Sequence, residues 1–151
     1  MRTILAGVAA ALTLAPAALA DAVYHSSHIA LMPVGSAPLR SGFVENIHPN
    51  GPNVFAHEEY VLNGAKPNTT YTVTLHISPA PATTCTAAAI PITTATFTTN
   101  PAGNGTADAI ITPSTVQSAG LANSTIHAYW TISTGGSVSY TTACQTIRLD
   151  A

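Results

Sequence analysis

Residues 124–149 read STIHAYWTISTGGSVSYTTACQTIRL, and the period of this stretch decides the fold. Ile126, Ala128, Trp130 and Ile132 alternate with Thr125, His127, Tyr129 and Thr131. In an extended chain, successive side chains project to opposite faces, so this alternation makes one oily face and one wet face. Gly135-Gly136 then interrupts the pattern. Glycine reaches the positive φ that a two-residue hairpin requires, and the spacing predicts strands over 124–134 and 137–149 folded back on each other.

Working outward, the same period recurs. Tyr71, Val73, Leu75 and Ile77 oppose Thr72, Thr74, His76 and Ser78. Segments 89–99 and 106–112 flank Asn100-Pro101-Ala102-Gly103-Asn104-Gly105, and 41–48 and 53–63 flank Pro49-Asn50-Gly51-Pro52. Turn-forming residues between β-prone runs predict two further hairpins. With a run at 22–31, about eight strands are expected. Threonine occurs 21 times after residue 20, and its branched carbon favours a pleated surface over a helix. Segments 79–86 and 114–123 read as longer connections, the second with room for one helical turn. The expected class is all-β: a single antiparallel β-sandwich.

Lys66-Pro67-Asn68-Thr69-Thr70-Tyr71-Thr72-Val73 resembles the turn that enters a strand in fibronectin type III and related immunoglobulin-like domains, with Ala65 where that family has leucine. The resemblance implies an immunoglobulin-like sandwich and a tyrosine corner, in which the Tyr71 hydroxyl bonds back to the chain. Some eighty residues follow Tyr71, more than the two strands that would complete a fibronectin module. The segment is also similar to secreted CHRD domains, with Leu75-His76-Ile77 where those carry His-Ile-His.

The chain opens MRTILAGVAAALTLAPAALA, with one basic residue, an apolar run and small residues at Ala18 and Ala20. That is the form of a secretory leader, and residues 1–20 are expected to be removed, leaving 21–151 as one secreted, periplasmic or cell-surface domain. The apolar run is shorter than the ~20 residues that span a bilayer, so no membrane span is expected in the mature chain. Beyond the leader, three basic residues stand against six acidic ones. A formal charge of −3 does not suit nucleic acid as a partner. Only 7% of residues are charged but 46% are apolar and periodically placed, which points to a folded domain whose surface is built from Thr, Ser and Asn.

Cys85 and Cys144 are the two cysteines, and an even pair in an exported chain is most simply a disulfide. A CxxC redox pair is excluded by their spacing.

Six histidines, at 25, 28, 48, 57, 76 and 127, invite a metal reading, because neutral imidazole is a common ligand of copper and zinc. His76 and His127 each fall mid-strand on an outward face and would meet if their strands were neighbours; His57, followed by Glu58 and Glu59, would be a third ligand. His25 and His28 project to opposite faces of a strand. No HExxH, His-x-His or Cys-His cluster is present. For catalysis the chain shows no Gly-x-Ser-x-Gly elbow, and adjacent Glu58 and Glu59 diverge in a strand, so no enzyme is expected. Tyr71 and Trp130 are expected to be structural. Asn68, Asn104 and Asn123 each begin an N-glycosylation sequon at a predicted turn. Two functions remain: a non-catalytic exported module offering a Thr-rich face to a protein or glycan partner, and a copper- or zinc-binding protein using His76, His127 and His57.

Overall fold

The computed structural model describes residues 24–49 and 56–149. The leader expected at 1–20, the turn at 50–52 and the start of the run at 53–63 lie outside the described residues. The chain forms β1 (Tyr24–Pro33), β2 (Ser41–Pro49), β3 (Ala56–Asn63), β4 (Thr70–Ser78), β5 (Ile90–Thr98), β6 (Gly105–Ile111), α1 (Pro113–Ser118), β7 (Ser124–Thr134), β8 (Ser137–Thr142) and β9 (Gln145–Leu149). All-β architecture follows from the two-residue period, and every strand pair is antiparallel.

The sheet order is β5-β4-β7-β8-β1-β2-β3-β6, with β9 also on β7. β1 pairs through residues 24–30 with β2 and through 31–33 with β8, so one strand passes from one half of the sheet to the other. The path therefore forms one nearly closed, barrel-like sheet where two separately stacked sheets were expected. The two ends of the path, β5 and β6, carry no ladder between them.

The hairpin of 124–149 forms as its pattern dictates. Gly135 and Gly136 have φ of 56° and 78°, the left-handed values such a turn needs. Its second arm breaks at Ala143-Cys144 into β8 and β9, both lying along β7. Cys144 sits in that break and is bonded to Cys85 in the β4–β5 connection, which ties the two segments together.

The turn preceding β4 is held by its neighbours. Thr99 is buried; its Oγ1 donates to the Lys66 carbonyl at 2.7 Å and accepts from the Thr69 amide at 3.0 Å. The 100–105 turn packs directly on Ala65, whose amide donates to the Gly103 carbonyl. A Cβ on Gly103 would stand 2.1 Å from the Ala65 carbonyl oxygen, so only glycine fits. Tyr71 is buried, as expected, but its hydroxyl meets the Tyr140 hydroxyl at 3.3 Å. It is Tyr140 that reaches back to the chain, donating to the Pro38 carbonyl at 2.8 Å. The expected tyrosine corner is therefore absent at Tyr71, and Tyr140 instead ties β8 to the β1–β2 connection, 102 residues upstream.

Alternation places Tyr71, Val73, Leu75, Ile77, Ile126, Ala128, Trp130 and Ile132 in the core. Buried polar residues break the apolar rule on β2 and β3, His48 among them. Asn46 on β2 and Glu58 on β3 are register partners, and they are 3% and 1% exposed.

Candidate functional site

Three locations hold chemistry: the outer face of β4 and β7, the outer face of β1 and β2, and the end of the barrel where β2, β4, β6 and β9 finish.

On the outer face of β4 and β7, His76 lies opposite Tyr129 and Ser78 lies opposite His127. The two histidines are thus diagonal neighbours on adjacent strands, a relation that puts Cβ atoms roughly 7–8 Å apart. The His76 ring stacks on Tyr129 with centroids 4.4 Å apart and planes 8° from parallel, and its Nε2 hydrogen-bonds the Thr131 hydroxyl at 2.9 Å. Thr131 and His127 flank Tyr129 on opposite sides, so the His76 ring leans away from His127. His127 has its own partner, with Nδ1 3.2 Å from the Thr146 hydroxyl. Burial depresses the pKa of His76. His57 stands on β3 opposite Ile47 and Ile110, on strands that do not adjoin β4 or β7. The structure therefore places two of the three candidate ligands on one face and the third elsewhere. No group of three or more His, Cys, Asp or Glu suited to a metal occurs among the described residues.

Around His76 the register builds a hydroxyl lattice. Thr70 faces Thr98; Thr72 lies between Thr96 and Ser133; Thr74 lies between Thr93 and Thr131, and Thr131 faces Thr141. Strand geometry spaces these rows about 4.8 Å apart across the sheet and about 7 Å along it. No charged residue falls in these rows; Arg148, opposite Thr125, lies at the far corner.

On the outer face of β1 and β2, Ser26 donates to one oxygen of Glu45 while His28 Nδ1 lies 2.9 Å from the other. These bonds, Ser26 foremost, lower the Glu45 pKa against the opposing effect of its desolvation. Both the serine and the imidazole are spent on the carboxylate, so the imidazole does not serve the serine as a base.

The barrel end holds a buried polar group that includes none of the expected metal ligands but does include Trp130, which was expected to be structural. Glu58 accepts from Trp130 Nε1 at 2.9 Å and from the Tyr60 hydroxyl on one oxygen, and from Asn46 Nδ2 at 3.2 Å on the other. Tyr60 also bonds the Thr94 hydroxyl at 2.6 Å. Thr94 reaches inward because β5 carries a bulge there: Val73 pairs with Ala95 and Thr74 with Thr93, leaving Thr94 as the extra residue. Burial raises the Glu58 pKa, and the three donors only partly offset that; burial likewise raises the pKa of Tyr60.

Glu58, Asn46, His48 and Trp130 form the polar end of a cavity of about 50 Å³. Its walls are Leu75, Ile77, Ile92, Ile126, Ile147 and Leu149. Val116 of α1 and Leu121 close it, while the exposed Thr115 and Ala119 carry its lining to the surface. His48 stacks on His25, with centroids 5.3 Å apart. Among the described lining residues, Thr115 is the one hydroxyl nucleophile, on the side of α1 and not within the Glu58 network.

A signal for this site exists in the sequence. Ala56, Glu58, Tyr60 and Leu62 share one parity, so Glu58 occupies the apolar face of its strand. No family model matches the chain, and no curated protein matches it.

Proposed function

We propose that this chain is an exported, non-catalytic binding module of the cell envelope or extracellular space, acting through the outer face of β4, β5, β7 and β8 on a neutral, hydroxyl-rich glycan. The leader-like residues 1–20 support export, and a Cys85–Cys144 disulfide suits an oxidising compartment. One observation carries the reading. The rows from Thr70 to Thr141 are uncharged, periodic and rich in hydroxyls, and they end on the stacked Tyr129 and His76 rings. Hydroxyls both donate and accept, matching the hydroxyls of a sugar, and an amphipathic ring offers its apolar face to sugar C–H groups. An anionic or cationic polymer would find no counter-charge in these rows.

The test is binding of the mature protein to neutral polysaccharides against sulfated and amino-substituted ones, with Tyr129→Ala and Thr72→Val/Thr74→Val variants. Neutral polymers should be retained and the variants should lose retention at least tenfold. Equal retention of charged polymers, or unchanged retention by Tyr129→Ala, refutes the reading. The rival, copper or zinc held by His76 and His127, is separated by melting: a metal selective for the folded state raises the melting temperature, and His76→Gln abolishes the rise.

A further inference from the structure

We infer that the cavity at the barrel end is a binding site for a short aliphatic hydroxyl compound, whose O–H donates to Asn46 Oδ1 while its carbons lie against the apolar walls. This site is internal and does not depend on the outer glycan-binding face.

Three observations carry it. Asn46 is 3% exposed and lines the cavity, and its Nδ2 is committed to Glu58, yet its Oδ1 finds no donor among the described residues. A buried acceptor left unmet is costly, and a ligand donor at that point recovers the loss. The Glu58 oxygens are already taken by Trp130, Tyr60 and Asn46, so the carboxyl acts as a positioning group that aims the Asn46 amide rather than as the ligand's partner. The remaining lining is overwhelmingly aliphatic, from β4, β5, β7, β9 and the α1 segment.

Volume sets the class. About 50 Å³ exceeds the ~10–15 Å³ that one water requires and falls well short of the ~150 Å³ cavity that takes a benzene ring. A short, unbranched carbon chain fits and an aromatic ring does not. Charge points the same way: the described lining holds no lysine or arginine, and a carboxylate or phosphate head would be buried next to the Glu58 carboxyl. A hydroxyl meets the acceptor without adding charge. The open side at Thr115 and Ala119 is the entry path and lets a longer chain protrude. A ligand of four or five non-hydrogen atoms binds no tighter than about micromolar, the ceiling set by ligand efficiency.

The indole N–H of the single tryptophan, Trp130, bonds to Glu58 and faces this site, so its one ¹H–¹⁵N resonance reports occupancy in the intact protein. Ethanol, 1-propanol and 1-butanol are the probes, with diethyl ether as a control of similar size that accepts but does not donate. Saturable shifts are expected, with affinity rising about fourfold per methylene until the enclosed space is full, and with the ether about tenfold weaker than 1-butanol. Asn46→Leu should abolish the preference for alcohol over ether. Because that variant also removes a Glu58 contact, Ala119→Leu, at an exposed lining residue, is the second test: it should weaken every alcohol while leaving the fold intact. Linear, unsaturable shifts, equal affinity for ether and alcohol in the wild-type protein, or an Ala119→Leu response identical to wild type would each overturn the proposal. So would a tightly held water seen beside the indole that no alcohol displaces.

Discussion

Replacing Glu58 with glutamine and with leucine separates hydrogen bonding from charge in the buried network. Leucine matches the side chain in bulk but strands two donors, Trp130 Nε1 and Asn46 Nδ2; Tyr60 keeps the Thr94 hydroxyl. Each stranded buried donor costs about 1–3 kcal/mol, so Glu58→Leu should destabilise by about 2–6 kcal/mol. Glutamine retains an acceptor for Trp130 and Tyr60. Its amide faces Asn46, whose flipped Oδ1 accepts from it, so the count of hydrogen bonds is preserved and the change at acid pH should be within about 1 kcal/mol. The charge effect has a definite sign. Burial raises the folded-state pKa of Glu58, so between the ordinary carboxyl value and the raised one the folded chain holds a proton that the unfolded chain has released. Unfolding free energy then falls as pH rises through that window, with a slope of about 1.4 kcal/mol per pH increment of one, and levels off above it. Urea unfolding followed by Trp130 fluorescence from pH 4 to 9 gives the difference between wild type and Glu58→Gln, in which other titrating groups cancel. The variant should gain relative stability as pH rises through that window and keep the gain above it. A flat difference curve, or a glutamine variant as unstable as the leucine one, would refute the account of Glu58 as a carboxyl held against its own desolvation.

The Cys85–Cys144 bond spans a sequence separation of 59, for which loop-closure entropy gives about 4 kcal/mol. Reduced protein, or a Cys85→Ser/Cys144→Ser variant, should unfold at correspondingly lower urea, and an unchanged midpoint contradicts this. His76 has a depressed folded-state pKa, so its contribution is complete above the ordinary histidine value and is lost as pH falls toward the folded one. His76→Gln should therefore flatten the acid limb of the stability curve below pH ~6.5, as read by melting temperature at stepped pH. Gly103→Ala sets a Cβ against the Ala65 carbonyl at a φ of 76° and should lower stability by at least about 2 kcal/mol in urea unfolding; a neutral result would show that the 100–105 turn relaxes away from Ala65.

The strands of the 71–78 and 124–149 segments are legible because a half-buried strand must alternate, and Thr72, Thr74, His76 and His127 are each less buried than the apolar residues beside them. The β2 segment misleads in the same terms. Phe43 and Ile47 share a parity, yet it is Val44, Asn46 and His48 that are buried. Alternation in β2 is nearly balanced between its two faces, so neighbouring strands, not the local pattern, choose which face is inside. His76 and His127 illustrate the limit for sites. Their outward positions can be read from the period, whereas the diagonal offset that turns one ring away from the other depends on the pairing of β4 with β7. In the sequence Glu58 reads as half of an adjacent pair of acids, and its partners Asn46, Trp130 and Tyr60 come from three different strands.

By itself the sequence determined what is local or compositional: where strands run, where glycine must turn them, and that the two cysteines form the simplest pair. Those properties follow from backbone sterics and from chemistry that needs no distant neighbour. Tertiary structure alone decided that β1 would cross between the halves of the sheet, that a bulge would send Thr94 to Tyr60, and that Asn46 and Glu58 would meet Trp130 at the head of an aliphatic cavity. These depend on register between segments remote in the chain, where shifting a pairing by one residue exchanges the inner face for the outer one.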